Sequence, residues 1–88
     1  MDEHLDPDVR SAVIEHVLAD VYPDRREAEI VDAAPLRGGY RVGVKAPPKG
    51  YISTAKYALV TVEDGRIVAA DPCSGKALRR ELAALEED

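Results

Sequence analysis

The stretch Lys56-Tyr57-Ala58-Leu59-Val60-Thr61-Val62-Glu63-Asp64-Gly65-Arg66-Ile67-Val68-Ala69-Ala70 decides the fold. From Lys56 to Glu63 both alternating sets are apolar, with Tyr57, Leu59 and Thr61 on one face and Ala58, Val60 and Val62 on the other. A strand of that kind belongs in the middle of a sheet. Asp64-Gly65 suits a two-residue hairpin turn, whose central positions take positive φ. Arg66 to Ala70 is then the returning strand, and Asp71-Pro72 is expected to stop it, because proline brings no amide to a ladder.

Working back along the chain, Tyr40, Val42, Val44 and Ala46 alternate with Arg41, Gly43 and Lys45, a second clear strand of period two. Pro35-Leu36-Arg37-Gly38-Gly39 supplies the turn before it. Glu27 to Ala34 reads as a further short strand with one solvated face. Pro47-Pro48-Lys49-Gly50 cannot extend the second strand, so 47–55 is expected to project as a loop.

Helices bracket these strands. Asp6-Pro7 is a helix start, since the carboxylate can accept from first-turn amides and proline at the first position loses no bond. Val9, Val13, Ile14, Val17, Leu18 and Val21 recur at helical spacing until Tyr22-Pro23 ends the run, giving a helix over about 7–22. Ser74 offers an N-cap for a second helix, with Leu78, Leu82 and Leu85 on one side and the acidic tail Glu86-Glu87-Asp88 fraying its end. The predicted fold is α+β: an antiparallel four-stranded sheet with an N-terminal and a C-terminal helix packed on it, in the order α-β-β-β-β-α. One layer of helix against the sheet is the expected arrangement. Residues 1–88 read as one small domain with 1–6 and 86–88 mobile.

The 88 residues carry 12 basic and 17 acidic side chains, a net charge of −5 that argues against generic duplex binding. That average conceals a pattern. Residues 1–36 hold three basic and ten acidic groups, residues 37–66 six and two, and residues 67–88 three and five, so −7, +4 and −2 sum to −5. An anionic partner would dock on the basic middle. The acidic excess also resembles the surfaces of proteins from high-salt organisms, although coding from a GC-rich genome gives much the same composition. One cysteine excludes an internal disulfide, and with two histidines it falls short of a four-ligand zinc site. No apolar run reaches the roughly 20 residues a membrane helix needs. The acidic start, Asp2, Glu3 and Asp6, is unlike a basic export signal, so the cytosol is the expected location.

From the first helix through Val62-Glu63-Asp64-Gly65-Arg66-Ile67-Val68 to Asp71-Pro72-Cys73-Ser74-Gly75-Lys76, the chain resembles PepSY-type domains over about residues 9–77. The resemblance implies a helix followed by an antiparallel sheet, and a non-enzymatic domain that binds or restrains a partner protein, with no catalytic residues.

Few residues point to chemistry. His16 and Asp20 are four apart and can meet on one helix face, but no nucleophile or third ligand is placed beside them. Cys73 precedes a helix start, where amide dipoles are expected to lower a thiol's pKa. Ser74-Gly75-Lys76 lacks the glycine spacing of a P-loop. No catalytic, cofactor-binding or metal-binding residue is assigned, and no cofactor is expected. The candidate partner-binding residues are Arg37, Arg41, Lys45, Lys49, Tyr51 and Lys56. Binding to another protein or to a second copy is the favoured function, with sheet edges open to strand addition. The alternative is single-stranded nucleic acid held by the cations and tyrosines of 37–57.

Overall fold

The structure, a computed structural model, describes residues 6–48 and 54–86, with the side chains of 85 and 86 outside the description. Four strands form one antiparallel meander: β1 (Glu29–Leu36), β2 (Gly39–Ala46), β3 (Lys56–Glu63) and β4 (Arg66–Cys73), in the order β1-β2-β3-β4. An N-terminal helix, α1 (Pro7–His16), runs on into a π-helical segment (Val17–Val21), and a C-terminal helix, α2 (Gly75–Glu86), follows β4. The order α-β-β-β-β-α and the antiparallel four-stranded sheet are those read from the sequence.

β3 lies inside the sheet, paired with β2 on one side and β4 on the other. Asp64 and Gly65 take φ of 54° and 77°, the positive values that a two-residue hairpin matching the strand twist requires. The Asp64 amide donates to the Gly38 carbonyl at 3.1 Å, which holds the two hairpin turns side by side.

The helices do not share a layer. Val13 and Val17 pack with Val42, Val44, Ala58, Val60 and Val62, whereas Leu78 and Leu82 pack with Ala34 and, at the margin, Tyr57 and Leu59. Neighbouring strand residues such as Ala58 and Leu59 thus join different cores, and α1 and α2 cover opposite faces. The doubly apolar pattern of β3 is met by these two covers. Gly43 makes the second one possible: a Cβ there would stand 2.8 Å from Cδ2 of Leu78 and 3.1 Å from Cδ1 of Leu82. Its missing side chain is the seat of α2, so Arg41, Gly43 and Lys45 do not form a simple solvated face.

Boundaries differ from the sequence reading at proline. β1 covers 29–36 rather than 27–34 and includes Pro35, and β4 continues through Asp71-Pro72 to Cys73 instead of stopping at Ala70. Both are edge strands, where an amide turned to solvent is not needed by the ladder. Each edge also carries a register shift, between Ile30 and Asp32 in β1 and opposite Thr61/Val62 in β4. Bulge plus proline on both edges works against strand addition.

The helix start carries Pro7 as read, but Asp6 makes no side-chain capping bond. The helical run ends one residue early, with the Tyr22 amide donating to the Val17 carbonyl at 2.7 Å to close the wide π turn. Ser74 is the cap of α2, its Oγ accepting from the Ala77 amide at 3.1 Å. Leu78 and Leu82 are buried as expected, and the Leu85 side chain, residues 1–5 and residues 87–88 lie outside the described residues. Among the described residues no helix is long and apolar enough to cross a membrane.

Candidate functional site

The four sequence candidates among the described residues do not converge. Arg37 is exposed in the β1–β2 turn. Arg41 places Nη1 3.3 Å from Oε2 of Glu81, tying β2 to α2. Lys45 lies two positions beyond Gly43 on the same face and lines a cleft beside α2. Lys56, exposed at the start of β3, alternates with Tyr57 and so belongs to the α1 side. Lys49 and Tyr51 lie outside the described residues. Tyr40 packs against the α1 core, and Tyr57 against the α2 core. With a helix on each face, no open sheet face is left on which those two rings could stack against bases.

Two clefts remain. One, of about 350 Å³, opens at the hairpin end, with Val9, Leu36, Tyr40 and Val62 in its lining and the exposed carboxylates of Asp6 and Asp64 beside them. The other, of about 280 Å³, lies between α2 and β1. Its apolar lining is Val31, Tyr57, Leu78 and Leu82, and its charged lining is Lys45, Arg79 and Asp32. The β1 bulge builds this second cleft. The register shift places both Val31 and Asp32 in its lining, and Val31 stays 45 % exposed. Asp32 turns one oxygen back to accept from the Ala33 amide at 2.8 Å.

Sequence reasoning missed Arg79 and the exposure of Val31. The helical spacing of Arg79 from Leu78 and Leu82 could have marked it as a flank of the apolar stripe, but nothing local announces the bulge at Val31. It missed Arg25 as well. That side chain is buried after the helix, and its Nη1 donates to the Pro47 carbonyl at 3.0 Å while Nε lies 3.6 Å from Asp24 Oδ2. Arg25 therefore pins the chain leaving β2 to the turn that follows the first helix.

The residues weighed for chemistry take structural positions. His16 Nδ1 and Asp20 Oδ2 do meet, at 3.2 Å, on the partly exposed helix flank. Among the described residues no group of three or more His, Cys, Asp or Glu is placed to hold a metal ion. Cys73 overturns an expectation. Burial pushes its thiol up, and the carboxylates of Asp71 and Glu81 push it further, so these effects outweigh the nearby helix start. Tyr22 also titrates above its ordinary range, through burial and then Cys73, with Arg25 opposing. Its hydroxyl donates to the Tyr57 carbonyl at 2.6 Å.

Comparison of the chain with protein-family models, with curated proteins and with solved structures finds no match.

Proposed function

We propose that the chain is a non-enzymatic domain that works by binding another protein on the side of the sheet that carries α2. The observation that carries the reading is the cleft between α2 and β1, where Val31 is left 45 % exposed at the lip. Exposed apolar groups beside a shaped, charge-rimmed cleft are the makings of a protein interface. On the α1 side the core valines Val13, Val17, Val42, Val44 and Val60 are closed over completely, although Val9 stays partly exposed in the cleft at the hairpin end. The proposed setting is the cytosol, which suits a lone cysteine with no partner for an internal disulfide.

Photo-crosslinking residues placed singly at Val31 and Ala69 on the α2 side, and at Ser11 and Glu15 on the outside of α1, test the reading in cells that produce the chain. Adducts of defined mass are expected from the first two positions and not from the second two, with an adduct of twice the chain's mass identifying a second copy as the partner. Adducts from α1 positions alone would overturn it. So would an affinity for single-stranded oligonucleotide that needs Arg41 and Lys45 and falls steeply with salt.

A further inference from the structure

The cleft between α2 and β1 has a chemical preference of its own. Its floor is apolar: a Cβ at Gly75 would stand 3.0 Å from Cε1 of Tyr57, so that ring lies close against the start of α2. At about 280 Å³ the space falls just below the roughly 300–1,000 Å³ of small-molecule pockets and suits an anchoring side chain.

The surrounding charge is uneven. Lys45 from β2 and Arg79 from the second turn of α2 stand in the lining with a single carboxylate, Asp32 on β1, while Glu81 is already engaged by Arg41. Cations therefore outnumber anions in the lining, two to one. Of the two that line the cleft, Lys45 is half-buried on a strand and Arg79 exposed on the helix, one on each wall.

We infer that this cleft takes an acidic segment of a partner protein, with one apolar side chain seated on Tyr57, Leu78 and Leu82 and flanking carboxylates facing Lys45 and Arg79. The inference rests on the protein-binding reading and specifies its partner. The segment docks through side chains and not as an added strand, because the bulge at Val31 and the ring of Pro35 interrupt the β1 edge. Charge complementarity selects the partner and sets its rate of encounter, while the buried anchor supplies most of the hold.

The probe is a short capped peptide in which a central leucine is flanked by glutamates, titrated into the whole chain and followed by amide-correlation NMR. Saturable shifts are expected at Val31, Asp32, Lys45, Tyr57, Leu78 and Arg79, weakening with added NaCl. A peptide with glutamines for glutamates should bind about tenfold more weakly, as should the original peptide on Arg79→Glu or Lys45→Glu, each reversal exchanging an attraction for a repulsion at a partly screened site. A lysine-flanked peptide should prefer the doubly reversed variant, provided circular dichroism shows it folded; Arg79, exposed on α2, carries the test if Lys45→Glu does not fold. Equal binding of the glutamine peptide, shifts confined to other faces, or no saturable shift at all would overturn the inference. In each of those cases crosslinks from Val31 and Ala69 would still leave the broader reading standing, whereas crosslinks from α1 alone would remove that reading whatever the peptide does.

Discussion

On the α1 side of the sheet, Val42, Val44, Ala58, Val60 and Val62 meet Val13 and Val17 in one continuous core, whereas the α2-side core among the described residues is Ala34, Leu78 and Leu82. The first face is closed by β-branched side chains from three elements. The second is closed by two leucines dropped over a glycine. Because each fully buried valine or leucine is worth about 1.5–3 kcal/mol, the α1 face supplies most of the apolar stabilisation and the α2 face a thin margin. A thin margin suits the face that carries the cleft, since elements that engage partners are drawn from the less stable end of a structure.

The largest expected effect breaks this comparison if it fails. Val60→Asp would bury a carboxylate without a partner in a fully covered strand, a cost of several kcal/mol that consumes most of the stability of a domain this size. Global unfolding is expected. Leu82→Asp, although Leu82 is only 2 % exposed, should free α2 and leave the sheet paired. Hydrogen exchange would separate the two: loss of protection throughout for the first, loss in 75–86 with retention in 42–44 and 58–62 for the second. Equal loss in both variants would mean the two faces form one cooperative core.

Gly43→Val tests the seat of α2 more gently. The added methyl groups must displace Leu78 and Leu82, and overpacking of that kind costs about 1–3 kcal/mol. A lowered urea midpoint is expected, together with changed cleft-side chemical shifts at Tyr57 and Arg79 and unchanged ones at Val13 and Val17. An unchanged midpoint would show α2 to be free to slide.

How much of this was legible follows the same division. The α1 face could be read residue by residue, because period-two valines in β2 and β3 and the helical valines of α1 are local patterns. β3 is apolar on both faces, yet the sequence reading puts both helices in one layer and so leaves one of those faces without a cover. The position of the second cover was not legible, since Arg41-Gly43-Lys45 has the spacing of a solvated face and only the tertiary fit of Leu78 and Leu82 over Gly43 reveals otherwise. Pro35 and Pro72 misplaced two strand ends for a related reason: proline forbids a ladder bond only where the amide would face a neighbour, and edge status belongs to the whole sheet. The site suffered most. Lys45 was found from the charge of the middle segment, but Arg79, the bulge at Val31 and the Arg41–Glu81 pair depend on elements distant in sequence.

Cys73, at the junction of β4 and α2, gives a pH signature. Its thiol and the Tyr22 phenol are both held in their neutral forms above their ordinary values of about 9 and 10. The folded chain thus keeps protons that the unfolded chain gives up, so stability is full below pH 9 and falls as pH rises through the raised values. A urea midpoint declining above pH 9, and declining less in Cys73→Ser, is expected. Alkylation of Cys73 at neutral pH should be slower in the folded chain than in urea. A faster folded-state reaction would restore the helix-start effect as the dominant one.

The smallest effect concerns salt and returns to the two faces. Acidic Asp8, Glu15 and Asp20 lie on the α1 side, and Lys76, Arg79 and Arg80 on α2, with the sheet between them. Layers stacked about 10 Å apart put the helices roughly 20 Å from each other, well beyond the Debye length of about 8 Å at physiological ionic strength. The basic elements therefore do little to neutralise the acidic helix. Arg41, which might have folded back toward it, is held by Glu81 on the opposite face. With a net charge of −5, screening should relieve more repulsion than attraction, and the urea midpoint should rise slightly, by well under 1 kcal/mol in stability, between low salt and about 0.5 M NaCl. Sodium sulfate at matched ionic strength separates this from general salting-out, which strengthens apolar burial on both faces alike. Arg41→Gln sharpens the test. Removing this ion pair between β2 and α2 deletes an attraction that salt weakens, so the variant should start less stable and gain more from NaCl than the parent chain. A midpoint that falls in NaCl for the parent and stays level for Arg41→Gln would mean that this single bridge outweighs the acidic surface, and that the α2 face is held by charge as much as by its two leucines.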